Sequence, residues 1–203
     1  MYPVETLLPI PGGRAVPTKP MSVVYDPSSK AGQKIFEEVE EISRSLGVPL
    51  LPVEALDGRF RPCAGCFSCW VKTPGVCIYK KDGGPGLVRS LANSNLILVI
   101  SRIQWGTYET SVKTAVDRMI PILHPYFIRF NGELHHRRRY PQRPKLLVVG
   151  FGALTREEEQ TFIGYTESHR NNLGWRRSRS TFILKEDSPS DALKAWLSQE
   201  VTQ

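Results

Sequence analysis

The sequence predicts an α/β domain whose parallel sheet is covered by helices on both faces. Three observations carry that expectation. Five short apolar runs alternate with helix-length segments of mixed character, and no internal repeat or linker interrupts them. The runs SNLILVIS (94–101) and KLLVVGFG (145–152) are nearly continuous in apolar residues, as strands buried on both faces are. A hydrophobic content of 40% in 203 residues supplies a core that needs no crosslinks.

The elements follow in order. Residues 1–20 carry five prolines and no periodicity, so they are expected to form an extended arm, with one domain over 21–203. MSVVYD (21–26) reads as a short buried strand. After PSSKAGQ comes a helix with Ile35, Phe36, Val39, Ile42 and Leu46 at helical spacing, stopped by Gly47. VPLLPV (48–53) is a second strand, and its prolines suit an edge. A cysteine-rich loop fills 58–85, overlapping a short helix near 84–93 that leads into the strand at 94–101. The loop RIQWGTYE then opens a helix from Thr110 to Ile120, ended by Pro121.

Residues 121–143 read as an irregular insertion. KLLVVGFG is the fourth strand. Thr155 and Glu158 form a capping box for a helix with acidic residues in its first turn and His169 and Arg170 near its last, closed by Gly174. WRRSRSTFIL (175–184) is the final strand, and Ser188, Pro189 and Asp191 open a last helix. Ligands of such sheets bind beyond the carboxyl ends of the strands, so the loops after residues 26, 101 and 150 are the places to look.

Charge and segment composition narrow the function classes. The start, MYPVETLLPIPGG, has neither a basic opening nor an uninterrupted apolar stretch, and the longest apolar run, LILVI, is too short to span a bilayer. A cytoplasmic protein without a membrane role is expected. The net charge of +7 favours anionic partners. The basic run HHRRR (135–139), with Arg143 and Lys145 beyond it, and Arg176, Arg177 and Arg179 lack a nucleic-acid motif or interleaved aromatics. Nucleic acid is therefore not the expected partner, and a solvated surface or subunit contact accounts for these runs. His124, His135 and His136 have no convincing metal-ligand spacing and read as structural or interfacial.

All four cysteines lie in CAGCFSCWVKTPGVC, at Cys63, Cys66, Cys69 and Cys77. In a reducing compartment such clustering points to metal ligands or redox thiols. Three thiols within seven residues can wrap one compact object, Gly65 allows close backbone approach, and Thr73-Pro74-Gly75-Val76 has the residues of a type II turn that returns the fourth. Phe67 and Trp70 would shield it from water. A [4Fe-4S] cluster fits this run best; a four-sulfur zinc site, free surface thiols or a cycling thiol pair are the alternatives.

The same run resembles the cysteine motif of iron-sulfur flavoproteins and related flavodoxin-fold NAD(P)H-dependent oxidoreductases, in which such a loop follows the second strand. SVKTAVDRMIP (111–121) is similar to that family's lysine and Asp-Arg pair on the helix after the third strand. The resemblance covers residues 21–185. It implies a five-stranded flavodoxin-like sheet of order 2-1-3-4-5, a non-covalent FMN and a [4Fe-4S] cluster exchanging electrons with it. It also implies a homo-oligomer, and a redox partner such as a ferredoxin or NAD(P)H.

Within the resemblance, the phosphate loop departs from the family's Gly-Ser-Pro-Arg start and Gly-Asn-Thr end. Pro27 and Gly32 survive, whereas Asp26 would repel a phosphate; Ser28, Ser29, Lys30 and the helix N–H groups remain as an anion cradle, or serve as a plain N-cap. Ile103, Gln104, Trp105, Gly106 and Tyr108 match in position the loop that lies along the isoalloxazine ring, or are ordinary residues at a strand end. Lys113 and Arg118 would serve a phosphate or fix their helix, with Asp117 and Arg118 as a structural ion pair. Gly150-Phe151-Gly152 lacks the third glycine of a dinucleotide fingerprint and reads as a sharp turn beside the cofactor. The expected function is FMN-dependent oxidoreduction or electron transfer, with no acid, base or nucleophile assigned. The rival readings are a flavodoxin-fold scaffold that has lost FMN and a zinc-stabilised nucleic-acid-binding protein.

Overall fold

The computed structural model describes residues 20–130, 132–141, 144–173, 181–185, 188 and 191–202. Of the expected features, the arm over residues 1–19, Arg143, Gly174, Arg176, Arg177, Arg179 and Pro189 lie outside the described residues. The first strand, β1 (Met21–Tyr25), is buried along its whole length and is followed by helix α1 (Lys30–Ser45). Gly47, at φ +68°, ends that helix in the left-handed region where a side chain would be strained. Strand β2 (Leu50–Glu54) pairs with β1, placing Pro52 opposite Val23. A four-residue helix α2 (Ser68–Val71) and helix α3 (Gly84–Asn93) lead to β3 (Leu96–Gln104).

The two-residue strand β4 (Thr107–Tyr108) folds back on the end of β3, and α4 (Thr110–Asp117) follows. The helix expected to run to Ile120 stops at Asp117, and a 3-10 turn carries Pro121. The chain continues through β5 (Leu123–Phe130), β6 (Glu133–Arg138), β7 (Lys145–Phe151), α5 (Arg156–Asn172), β8 (Thr181–Leu184) and α6 (Ala192–Thr202). β2, β1, β3, β7 and β8 lie side by side in that order and are all parallel. Counting those strands alone, the order is the expected 2-1-3-4-5.

The continuous apolar runs are explained by two cores, one on each face. Ile97, Val99, Leu146 and Val148 point to the face covered by α3, α4 and α5. Leu98, Ile100, Leu147 and Val149 point to the face covered by α1 and α6, where Ile35, Phe36, Val39 and Ile42 meet them. The period-2 alternation of a strand thus feeds both cores at once. Each fully buried aliphatic side chain contributes about 1.5–3 kcal/mol. Thr155 and Glu158 make the capping box of α5, with bonds of 3.2 and 3.0 Å.

The segment 121–143 corrects the sequence reading. Instead of an irregular insertion it forms an antiparallel hairpin, β5 with β6, as a separate two-stranded sheet. The register shifts between Leu123 and Phe127, where Pro125 has no N–H to give. No helix among the described residues is long and apolar enough to cross a membrane.

Candidate functional site

The strand order reverses between β1 and β3, and the loops that follow their carboxyl ends are where ligands of such a sheet bind. Asp26 sits immediately after β1, only 9% exposed. One carboxylate oxygen accepts from the Ser28 N–H at 2.8 Å and from the Ser28 hydroxyl at 2.6 Å. The other accepts from the Ser111 hydroxyl of α4 at 2.8 Å. Ser29 caps α1, its hydroxyl accepting from the Gly32 N–H at 3.2 Å. The turn is tight: a Cβ on Gly32 would lie 2.9 Å from the Asp26 carbonyl oxygen. Lys30 opens the helix and is exposed.

A second acid stands beside the first. Glu109 precedes α4, its N–H donating to the Ser101 hydroxyl at 3.0 Å and the Arg102 carbonyl at 3.1 Å. Burial of the side chain, then the charge of Asp26, pushes its carboxyl up to about 7, against the opposing backbone hydrogen bond and charge of Arg102. Near neutral pH it is therefore about half protonated.

The β3–β4 turn forms the outer wall. Gln104 pairs with Thr107, leaving Trp105 and Gly106 as a two-residue loop with φ of +50° and +73°. These are the positive dihedrals of a hairpin turn of the I′ kind. Trp105 is 82% exposed. Gly106 backs directly onto Thr161 of α5, with no room for a side chain.

Other expected contacts face inward. Ile103 and Tyr108 are buried in the core, where Tyr108 lies edge-on to Phe162 and its hydroxyl is 3.3 Å from His169 Nδ1. A Cβ on Gly150 would meet Phe162 and Ile103, so that glycine makes room for packing. Gly152, at φ +139°, lies beside the turn near Arg102. Of the expected set Trp105 is exposed and Gln104 partly so, while the side chains of Ile103 and Tyr108, and Gly150, belong to the core.

The cysteine loop is held by an arginine. Arg118, 1% exposed at the end of α4, pairs with Asp82 through both nitrogens and donates to the carbonyls of Arg61 at 2.7 Å and Tyr79 at 3.4 Å. Its guanidinium also lies 5.2 Å from the centre of the Tyr79 ring. The expected Asp117–Arg118 pair does not form; Asp117 pairs with Lys113 one turn earlier, because the two lie on the same helix face.

Asp82 also accepts from the Gly84 and Arg61 N–H groups. Burial would raise its carboxyl, but these bonds and Arg118 outweigh burial and hold it below the ordinary carboxylate value. From the other side, Arg139 donates to Pro121, Leu123 and Cys69 carbonyls at 2.9, 3.1 and 3.5 Å.

Inside the loop the expected turn forms: the Val76 N–H donates to the Thr73 carbonyl at 2.8 Å, with Gly75 at φ +84°. Cys63 and Cys66 are exposed, Cys69 and Cys77 half-buried, and all four are free thiols. Burial, then the charges of Cys77, Cys63 and Cys66, pushes the Cys69 thiol up, so the four share one electrostatic neighbourhood. The Ser68 hydroxyl and then the Ser68 N–H pull the Cys66 thiol down. Trp70 stacks on Phe67 and lies against His136, which stacks on Phe127. Among the described residues no group of three or more His, Cys, Asp or Glu side chains is gathered so as to hold a metal ion. The four cysteine sulfurs expected to converge, whether on a [4Fe-4S] cluster or on zinc, are thus not gathered into such a group among the described residues.

No protein-family model matches this chain, and no curated protein matches it in sequence. Solved structures do match. An NAD(P)H:quinone oxidoreductase from Methanothermobacter marburgensis aligns with TM-score 0.61 and 13% identity over 91% of this chain and 95% of that one. The apo form of an NADH:FMN oxidoreductase aligns with TM-score 0.58 and 10% identity, covering 90% and 87%. An FMN-dependent NADH-azoreductase from Bacillus anthracis, in complex with FMN, gives 0.57 and 14%, covering 91% and 95%. The fold is flavodoxin-like. At these identities the likeness concerns the fold alone.

Asp26, Glu109, Ser111 and Asp82 escaped the list of site residues. Asp26 is visible in the sequence as a departure at the phosphate loop, but its three-donor embrace is not. The partner of Arg118 lies 36 residues away, and no local pattern points to it.

Proposed function

We propose that this protein is a flavin-dependent oxidoreductase that moves electrons between a flavin at the β3–β4 turn and a [4Fe-4S] cluster on Cys63, Cys66, Cys69 and Cys77. The observation that carries the flavin reading is Trp105. A tryptophan held at φ +50° costs about 1–2 kcal/mol relative to an ordinary backbone region, and this one gains no burial in return. A flat apolar ring standing in solvent at the switch point suits stacking on a planar heterocycle. Gln104 and the turn backbone are beside it to meet the polar edge of such a ring. The three structural neighbours are oxidoreductases that take electrons from NADH or NAD(P)H, two of them named with FMN, which supports the same reading.

The cluster reading is supported by the mutual field of the four thiols in a loop fixed by Arg118. A bound flavin would supply hydride acceptance from NAD(P)H or one-electron exchange with a ferredoxin-like partner. Self-association is part of the proposal: Tyr126, Phe127 and Leu134 stand exposed on the hairpin. Protein purified without oxygen should carry about one flavin and about four irons with sulfide per chain. Colourless protein that takes up no flavin on titration would refute the flavin reading; a flavoprotein without iron would remove the cluster alone.

A further inference from the structure

In this fold the β1–α1 turn is where backbone N–H groups and hydroxyls are offered to an anion. Here a carboxylate of the chain is already in place. Asp26 takes the Ser28 N–H and hydroxyl on one oxygen and the Ser111 hydroxyl on the other. The Ser29 hydroxyl accepts from the Gly32 N–H, which removes that amide from the loop's free donors. A second carboxyl, Glu109, approaches the same place from α4. Against these acids stand Lys30, exposed on the first turn of α1, and Arg102, exposed at the end of β3.

We infer that Asp26 stands in for a ligand phosphate, so that the crevice binds its planar ligand by the ring and discriminates against a phosphorylated side chain. The ligand class that fits is a riboflavin-like ring with an uncharged tail, rather than FMN. The choice of ring rests on the flavin reading above; the exclusion of phosphate does not. A dianion brought to the Ser28 amide would have to displace a buried carboxylate or sit against it, and like charges so placed repel. The same donors would accept a phosphate once the carboxylate is neutralised.

Riboflavin and FMN titrations followed by flavin fluorescence, on wild type and on Asp26→Asn, test this. Asparagine keeps the shape and one acceptor oxygen, and Asp26→Gly with thermal unfolding serves as a second variant should the first fold poorly. Wild type should bind riboflavin about tenfold more tightly than FMN, and Asp26→Asn should gain about tenfold for FMN only. FMN bound as tightly as riboflavin or more tightly by wild type, or no gain for FMN in either variant, overturns the inference and leaves the flavin reading intact. Inorganic phosphate, followed by amide shifts at Ser28 to Gly32, gives an arm independent of flavin. If no flavin binds, silence in wild type with shifts in the variant sustains the exclusion and sinks the flavin reading. Shifts in wild type overturn the exclusion, and silence in both proteins counts against the stand-in role.

Discussion

Replacing Arg118 with methionine isolates what holds the cysteine loop. The substitution keeps most of the buried stem and removes the guanidinium, leaving Asp82, 10% exposed on its side chain, without its cation. Breaking one partner of a buried pair costs about 3–5 kcal/mol, chiefly because the other charge stays buried. The Arg61 and Tyr79 carbonyls lose their donors as well. For a chain of this length a loss of about 4 kcal/mol lowers Tm by about 8–16 °C.

Urea unfolding at pH 7 measures the loss, and thiol-reagent kinetics on the four cysteines report whether the loop opens first. The double variant Arg118→Met with Asp82→Asn should recover a good part of it, since no unpaired charge remains. The pH dependence has a definite sign. Asp82 is held below its ordinary value of 3.8, so the stability it contributes is present above that value and is lost as pH falls through the depressed one. An Arg118→Met protein within about 1 kcal/mol of wild type, with unchanged thiol rates, would refute the clamp.

Three further outcomes follow. Trp105→Asn should raise stability by about 0.5–1 kcal/mol in urea unfolding, because asparagine tolerates positive φ in a hairpin turn, while weakening flavin binding in titration. Glu109→Gln should match wild type near pH 4 and exceed it by about 1 kcal/mol at pH 8. A carboxyl raised from 4.5 to about 7 destabilises the fold increasingly between those values, and its half-exposed position reduces the full linkage by solvent screening. His169 is pushed down to about 4, first by burial and then by Lys113 and Arg170. Its contribution to stability is complete above 6.5 and falls by about 3 kcal/mol as pH drops towards 4, a loss that His169→Gln should largely abolish in paired urea melts.

The main strands and helices were legible because burial on two faces writes itself into continuous apolar runs, and because caps such as Thr155 with Glu158 act locally. The hairpin over 123–138 was legible too, in Asn131-Gly132 between two strand-length segments, but Pro125 and the charged residues of HHRRR obscured the alternation. For the site, sequence located the loops and not the direction each side chain faces. Ile103 and Trp105 are two residues apart, yet one is 5% and the other 82% exposed, since the strand hands over to a turn between them. The Ser28 hydroxyl looked like a ligand donor because its acceptor, one turn of chain away, was read as a repulsive neighbour rather than as a partner.

The hairpin and the clamp together give the cysteine loop a common electrostatic character. Arg118 reaches it from α4 and feels the charge of Cys77, while Arg139 reaches it from the end of the hairpin, donates to the Cys69 carbonyl and feels the Cys69 thiol. Two guanidiniums with little freedom to leave thus stand beside thiols whose mutual repulsion opposes ionisation. Fixed positive charge beside a set of thiolates lowers the cost of keeping them anionic, and it raises the potential of a cluster bound to them. The loop is therefore supported from two separate elements as a place for negative charge, whereas the crevice at Asp26 and Glu109 is furnished with negative charge of its own. The two loops therefore differ in local charge, which is why the basic excess of the chain says little about the turn at Asp26.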